Sequence, residues 1–518
     1  MFMSSANKNT SANGDTAPAS HQRHGSEEPL LPQSPQTSPA PPLKAWSLAI
    51  IIFYAVSGGP FGIEPTIRSG GNFAAIMGFI FFPILFSFPE ALVTAELGSA
   101  FHCASGGVAW VEEAFGEQMG FMCGWLSWIA GATDNAVYPI LFLEYIESVL
   151  GYKEDGSDFL SGWSRFGCVT GITLVLSLLN YRGLDVVGNT TIVICVIAMS
   201  PFIPMLVLGI PKMVPSRWLQ TPETDNGTED LFDDAFETSS GPLSNTGLAA
   251  MGGILWRPYI NNIFWNLNSY DSAACFATET ECVRTAYMRG IFISLAMAFM
   301  SYIIPILLVT AATDYTQSEW VDGQLGAAAI DIGGPWVGAW MLLAAGISNL
   351  GQFEAEMSSD SLMLMGMAER GYLPKVFKSR SRYGTPTAGI ITGTIVIVAF
   401  GWADFGQLLE LLNANYALAL VLEYAAFVKL RHTRRDMQRP YRIPISDRFA
   451  SLVIIPPVLG IMFVFLVSSW YTYLFCGVSI LAGLAVVRLA KKAQLFGSAN
   501  RTDDANCNGE LSSYTSLS

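Results

Sequence analysis

Long apolar blocks alternate with short polar connections along most of this chain. Twelve such blocks come close to or exceed the ~20 residues that cross a bilayer core as a helix. They run over 46–68, 73–99, 119–149, 165–179, 186–210 and 251–278, then 291–313, 336–367, 387–403, 405–428, 452–470 and 471–489. The last two almost touch, with Ser468-Ser469-Trp470 as the hinge. The pattern predicts an all-α polytopic membrane protein with one helical domain over 45–490. The flanks, 1–44 and 491–518, are rich in small polar residues and hold no apolar run. They cannot bury enough surface to offset their ordering entropy, so they are expected to be disordered. No signal-type apolar segment precedes the first block. A Glu28-Pro29-Leu30-Leu31 stretch resembles a sorting address, but a plain linker is the preferred reading.

Composition narrows the classes further. Charged residues make up 14% of the 518, against about 25% in soluble chains, and hydrophobic ones 51%. Soluble enzymes, nucleic-acid binders and secreted disulfide scaffolds are excluded. The eight cysteines are scattered with no CxxC pair, which argues against a metal site.

The net charge of −14 matters for where it lies. Basic residues gather after the eighth block (Arg370, Lys375, Lys378, Arg380, Arg382) and after the tenth (Lys429, Arg431, Arg434, Arg435, Arg439). Short basic connections stay on the cytoplasmic side, so both termini are expected there. The connection 211–244 is acidic and carries the sequon Asn226-Gly227-Thr228, a glycosylation candidate on the opposite side.

Two blocks are interrupted. The first contains Ser57-Gly58-Gly59-Pro60-Phe61-Gly62, which does not sustain a helix. The sixth contains Trp265-Asn266-Leu267-Asn268-Ser269-Tyr270-Asp271, polar groups inside an apolar stretch. Interruptions five spans apart are the pattern of inverted-repeat transporters, whose substrate sits where the half-helices meet.

The stretches Ser57–Glu64, Phe88–Gly98, Ala132–Tyr145, Trp265–Ala273, Phe353–Pro374 and Asn413–Arg431 resemble the amino acid–polyamine–organocation superfamily, in particular plant-type polyamine uptake transporters and their amino-acid-transporting relatives. The resemblance implies a leucine-transporter-like fold of twelve transmembrane helices, a 5+5 inverted repeat with helices 1 and 6 broken. It also implies secondary active uptake coupled to protons. Two positions depart from the family pattern: Pro65 stands where a second acidic residue is usual, and Ser269 where a large aromatic is common.

Carboxylates inside spans are costly unless paired, protonated or wetted, and this chain has many. Glu64, Asp134 and Asp271 are the candidates for binding a cation, with Gly58, Gly59, Gly62, Tyr138, Trp265, Asn268 and Tyr270 around them. For Glu64, capping of a half-helix is an equal alternative. Glu354, Glu356 and Glu90 are the proton-coupling candidates, whereas Glu410 with Asn413 reads as a structural clamp. No cofactor or metal is expected beyond a proton gradient, with sodium at Ser358 and Ser359 left open. The partners expected are a small cationic substrate and the bilayer, not nucleic acid, and an obligate protein partner stays open.

The leading function is proton-coupled polyamine uptake by alternating access. An amino-acid permease, for neutral or cationic substrates, is the alternative, and a non-transporting sensor on the same fold is the third. No catalytic constellation is visible. The plasma membrane is the first expectation for location, an internal membrane the second.

Overall fold

The computed structural model describes residues 44–492 apart from 102, 104, 151–159, 161, 183, 223–252, 281–282 and 404. The tails and the Asn226 sequon lie outside the described residues. Among the described residues the secondary structure is helical, and the sole bridge is an isolated pair, Arg380 with Pro386.

The first block divides into α1 (Ala45–Val56) and α2 (Glu64–Phe82). Gly71, at φ 68°, ends the short first part of α2, and the chain then runs through a π-helical turn at Pro83–Ser87 into α3 (Phe88–Ala100). Next come α4 (Gly107–Phe115), α5 (Glu117–Leu150) and α6 (Gly162–Tyr181). The fifth block is two helices, α7 (Leu184–Met199) and α8 (Phe202–Gly209), parted at Ser200-Pro201 where proline removes a backbone donor. The sixth is α9 (Trp256–Leu267) followed by a 3₁₀ stretch, Tyr270–Glu279. The remainder is α10 (Met288–Ala312), α11 (Gln324–Gly333), α12 (Pro335–Glu369), α13 (Thr387–Phe400), α14 (Phe405–Thr433), α15 (Ala450–Val467) and α16 (Trp470–Lys492).

Seven helical segments among the described residues are long and apolar enough to cross a membrane. The two longest helices, α5 and α12, are not among them, and they carry Asp134 and the Glu354, Glu356, Asp360 group. Those acids are buried inside the bundle, where α5 packs along both α12 and α14. Outward faces stay apolar, as in Leu174, Val175 and Leu178 on α6 or Leu459 and Met462 on α15. That inside-out distribution suits lipid rather than water as the surrounding solvent.

Ion pairs gather at one end of the bundle. Glu96, at the end of α3, meets Arg431 and Arg439, with Arg439 Nε at 3.1 Å. Asp447 meets Arg431 at 3.1 Å and Arg442 at 2.7 Å. Arg370, after α12, pairs with Glu112 of α4, and Arg434 with Glu113. Elsewhere, residues 211–222 tie into the Gly71 turn, where Asn72 Nδ2 donates to Gln220 Oε1 at 2.9 Å, and into Asp314 through Arg217 at 3.0 Å.

Candidate functional site

The backbone between α1 and α2 turns through Gly58 (φ 62°), Gly59 (φ 111°) and Gly62 (φ 86°), a region in which side-chain-bearing residues are strained. Space is as restrictive as torsion. A Cβ on Gly58 would lie 2.2 Å from the Gln352 side chain, and one on Gly62 would lie 3.0 Å from the Trp265 ring. Unwinding frees carbonyls, and side chains take them up. Gln352 Nε2 donates to Ser57 O at 2.9 Å, Ser348 Oγ to Gly58 O, and Asn262 Nδ2 to Gly62 O at 2.9 Å.

The second break turns on Ser269, the one described non-glycine residue at positive φ (73°). Its neighbour Asn268 accepts from the Ser269 hydroxyl at 2.7 Å and lines the central cavity. Tyr270 is fully buried among α1, α3 and α10 residues, away from that cavity.

Asp134, Asp271, Glu356 and Asp360 converge on this cavity, together with Ser127, Asn268, Ser272, Ser359 and Tyr416. No Lys or Arg is among the described residues lining it. Asp134 accepts from Trp265 Nε1 at 2.8 Å, and the Tyr138 hydroxyl reaches the same carboxyl. Both rings therefore stand behind Asp134 and orient it. Asp360 rests on Gly131, which leaves room for it, and accepts from Asn135 Nδ2 at 3.2 Å. Glu356 Oε2 has no hydrogen-bond partner. The open space among these side chains is about 30 Å³, enough for ordered water and far below the ~300 Å³ of a ligand pocket. A guest of ligand size fits here only if the lining side chains move apart.

Other acids are placed elsewhere. Glu64 is fully buried at the first turn of α2 but does not line the cavity. Its Oε2 accepts from Gly62 N at 3.1 Å and its Oε1 from Leu325 N at 3.4 Å, so it caps its own half-helix and the start of α11. Glu354 faces α6, where Asn180 Nδ2 donates to it at 3.1 Å. Ser358 joins that side, with its hydroxyl on the Glu354 carbonyl, while Ser359 lines the cavity. Glu90 reaches the second break through Tyr270 N at 2.7 Å and Tyr416 at 2.9 Å. Glu410 caps the start of α16 through Ser469 and takes Tyr471 OH at 2.7 Å. Neighbouring Asn413 holds Asn261 O at 2.9 Å.

Sequence reasoning left Asp360 out of the cation-binding set. Asp360 lies one helical turn from Glu356 and so shares its face, a signal that was available. Tyr416 reads in the sequence as an aromatic for cation–π packing, alongside Trp265 and Tyr270, but nothing local signals its hydroxyl partners Glu90 and Asp271, which lie on other helices.

A helical bundle interrupted in its first and sixth apolar segments, with buried acids around a small central cavity, defines a membrane permease. The chain belongs to the amino acid permease family, whose model matches residues 43–489. It is 38% identical to "Probable polyamine transporter At3g19553" of Arabidopsis thaliana over 89% of this chain and 90% of that one. It is 39% identical to "Polyamine transporter RMV1" of the same plant, covering 83% of each. It is also 38% identical to "Polyamine transporter PUT1" of Oryza sativa subsp. japonica, over 84% of this chain and 76% of that one. The function that follows is carriage across a membrane, not catalysis.

Proposed function

We propose that this permease carries polyamines, by alternating access through a leucine-transporter-like bundle of twelve crossings arranged as two inverted halves of five plus two. The observation that carries the reading is the cavity wall: Asp134, Asp271, Glu356 and Asp360 with no described cation to balance them. Several acids in a partly desolvated space, each able to become the carboxylate partner of an arriving ammonium, favour a guest with several ammonium groups over a zwitterion. Three relatives are named for polyamine transport, which supports the same substrate class. The place where a permease of this architecture receives an amino-acid carboxylate, the half-helix start, is filled here by the carboxylate of Glu64.

Uptake is coupled to protons in this reading, with Glu356 as the coupling acid in the cavity and Glu354 a structural partner of Asn180. The ion-paired end, with Arg370, Arg431 and Arg439, faces the cytoplasm along with both tails, and the Asn226 loop faces outward. The plasma membrane is the proposed site of action.

The test is uptake of labelled spermidine in cells deficient in polyamine transport, competed with unlabelled putrescine, leucine or arginine. Competition by putrescine alone, and loss of uptake in Asp271→Asn, supports the proposal. Uptake of a neutral amino acid that excess spermidine leaves untouched overturns it in favour of amino-acid transport.

A further inference from the structure

The buried acid pair at the second break carries one hydrogen too few for its bonds. Tyr416 OH lies 2.9 Å from Glu90 Oε1 and is also hydrogen-bonded to Asp271 Oδ1. A phenol has a single hydrogen to donate, and an ionised carboxylate has none. Both contacts are made only if one of the two acids is protonated. Glu90 Oε1 also receives the backbone N–H groups of Tyr270, at 2.7 Å, and Asp271, at 3.4 Å, which marks it as the accepting end. The extra proton therefore sits on Asp271, which donates to Tyr416, which donates to Glu90.

We propose that Asp271, Tyr416 and Glu90 form a proton-retaining relay, through which Asp271 takes a substrate ammonium without releasing its proton to solution. This deepens the polyamine reading above and rests on it for the identity of the guest. When the ammonium reaches Asp271, its O–H bond breaks and an O–H bond forms at Tyr416. The original Tyr416 O–H breaks as its proton bonds to Glu90 Oε1. Tyr416 ends neutral, Asp271 becomes a carboxylate paired with the ammonium, and Glu90 becomes a neutral acid. No proton enters or leaves.

The surroundings favour retention. Facing Asp271 are the acids Glu423 of α14 and Glu356 and Asp360 of α12. Around them are the neutral thiols Cys123 and Cys275 and the phenols Tyr287 and Tyr424. None of these supplies a positive charge that would stabilise two adjacent carboxylates, and like charges at this spacing do not both ionise.

The experiment counts protons released per putrescine bound to the purified full-length protein, by calorimetry in buffers of different ionisation enthalpy. Wild type sets the baseline, because the second ammonium of putrescine displaces protons held at Asp134, Glu356 or Asp360. Tyr416→Phe, which cuts the chain, is expected to release one more than wild type, so its affinity falls by a further factor of about ten per unit of acidification while Asp271 is protonated. Glu90→Gln keeps the shape but cannot take the proton, and is expected to match it, which covers the case of a Tyr416→Phe protein that does not fold. A count in either variant no higher than that of wild type overturns the relay. Failure of wild type to bind putrescine overturns the substrate reading instead. The relay is then judged on the substrate-free protein, whose infrared spectrum at neutral pH should contain a protonated-carboxyl band that Asp271→Asn removes. An unchanged band in that variant overturns it.

Discussion

Replacing Glu64 by Gln tests what that buried carboxylate is for. Its two oxygens accept one backbone N–H each, from Gly62 at 3.1 Å and from Leu325 at 3.4 Å. A glutamine has one acceptor oxygen, so whichever N–H it keeps, the other faces an amide donor. A buried donor left unpaired costs about 1–3 kcal/mol, and the lost charge at a helix start adds about 0.3–1. The bond to Leu325 is the longer and weaker, and is the one expected to fail, which puts the loss near the lower end, about 1–2 kcal/mol. That bond joins the half-helix at Glu64 to α11, and α2 is joined to the same connection where Gln317 Nε2 donates to Arg68 O at 2.7 Å. If these elements separate when the cavity opens outward, Glu64→Gln shifts the population toward the open form by about 5–30-fold. The assay is the rate at which an impermeant thiol reagent, added outside, modifies Ser127→Cys on the cavity wall. The exposed Cys168 is first replaced by Ser. A rate equal to that of the Glu64 parent refutes this role of Glu64 in holding the cavity shut, and loss of spermidine binding with no change in rate returns Glu64 to the substrate site.

Glu96 is fully buried between Arg431 and Arg439 and accepts from Ile443 N at 2.9 Å, so Glu96→Gln leaves a buried guanidinium uncompensated. A loss of about 3–5 kcal/mol is expected, read as a lowered thermal unfolding midpoint in detergent. Hydrogen bonds from Arg442 and Arg431 hold Asp447 down at about 2, below its unfolded value near 3.9. The stability this contributes is present above about pH 4 and lost as the pH falls toward 2, so Arg442→Gln should flatten the acid limb of a stability profile. Gly62→Ala places a methyl against Trp265 at φ 86°, and should reduce transport more than protein abundance, checked by uptake normalised to surface protein. Asp134→Asn keeps an acceptor for Trp265 but removes the charge, and spermidine uptake should fall at least tenfold with the protein still folded.

The breaks were legible in the chain because glycine, proline and asparagine clusters interrupt otherwise apolar runs. So was the wealth of intramembrane acids. Which of them meet was not legible. Glu354 and Glu356 are two residues apart, so a helix turns them about 200° from each other, but only the packing decides which one looks inward. Asp360 fits because Gly131, on another helix, leaves space for it. Glu64 and Asp271 read as two halves of one site because each follows a break, yet Glu64 is claimed by a backbone N–H from Leu325, distant in sequence and without a local signal. The Ser200-Pro201 interruption within the fifth block was overlooked because apolar residues continue on both sides of it.

The carbonyls set free at the first break make that segment a joint. Ser57, Gly58 and Gly62 have their oxygens occupied by Gln352, Ser348 and Asn262, all uncharged and all supplied by the protein. These three carbonyls are therefore held by the protein itself, without a passenger. A carrier that performs net uptake makes one stroke of each cycle empty, and a joint that had to recruit its partners from the cargo would stall there. This one travels back with its own.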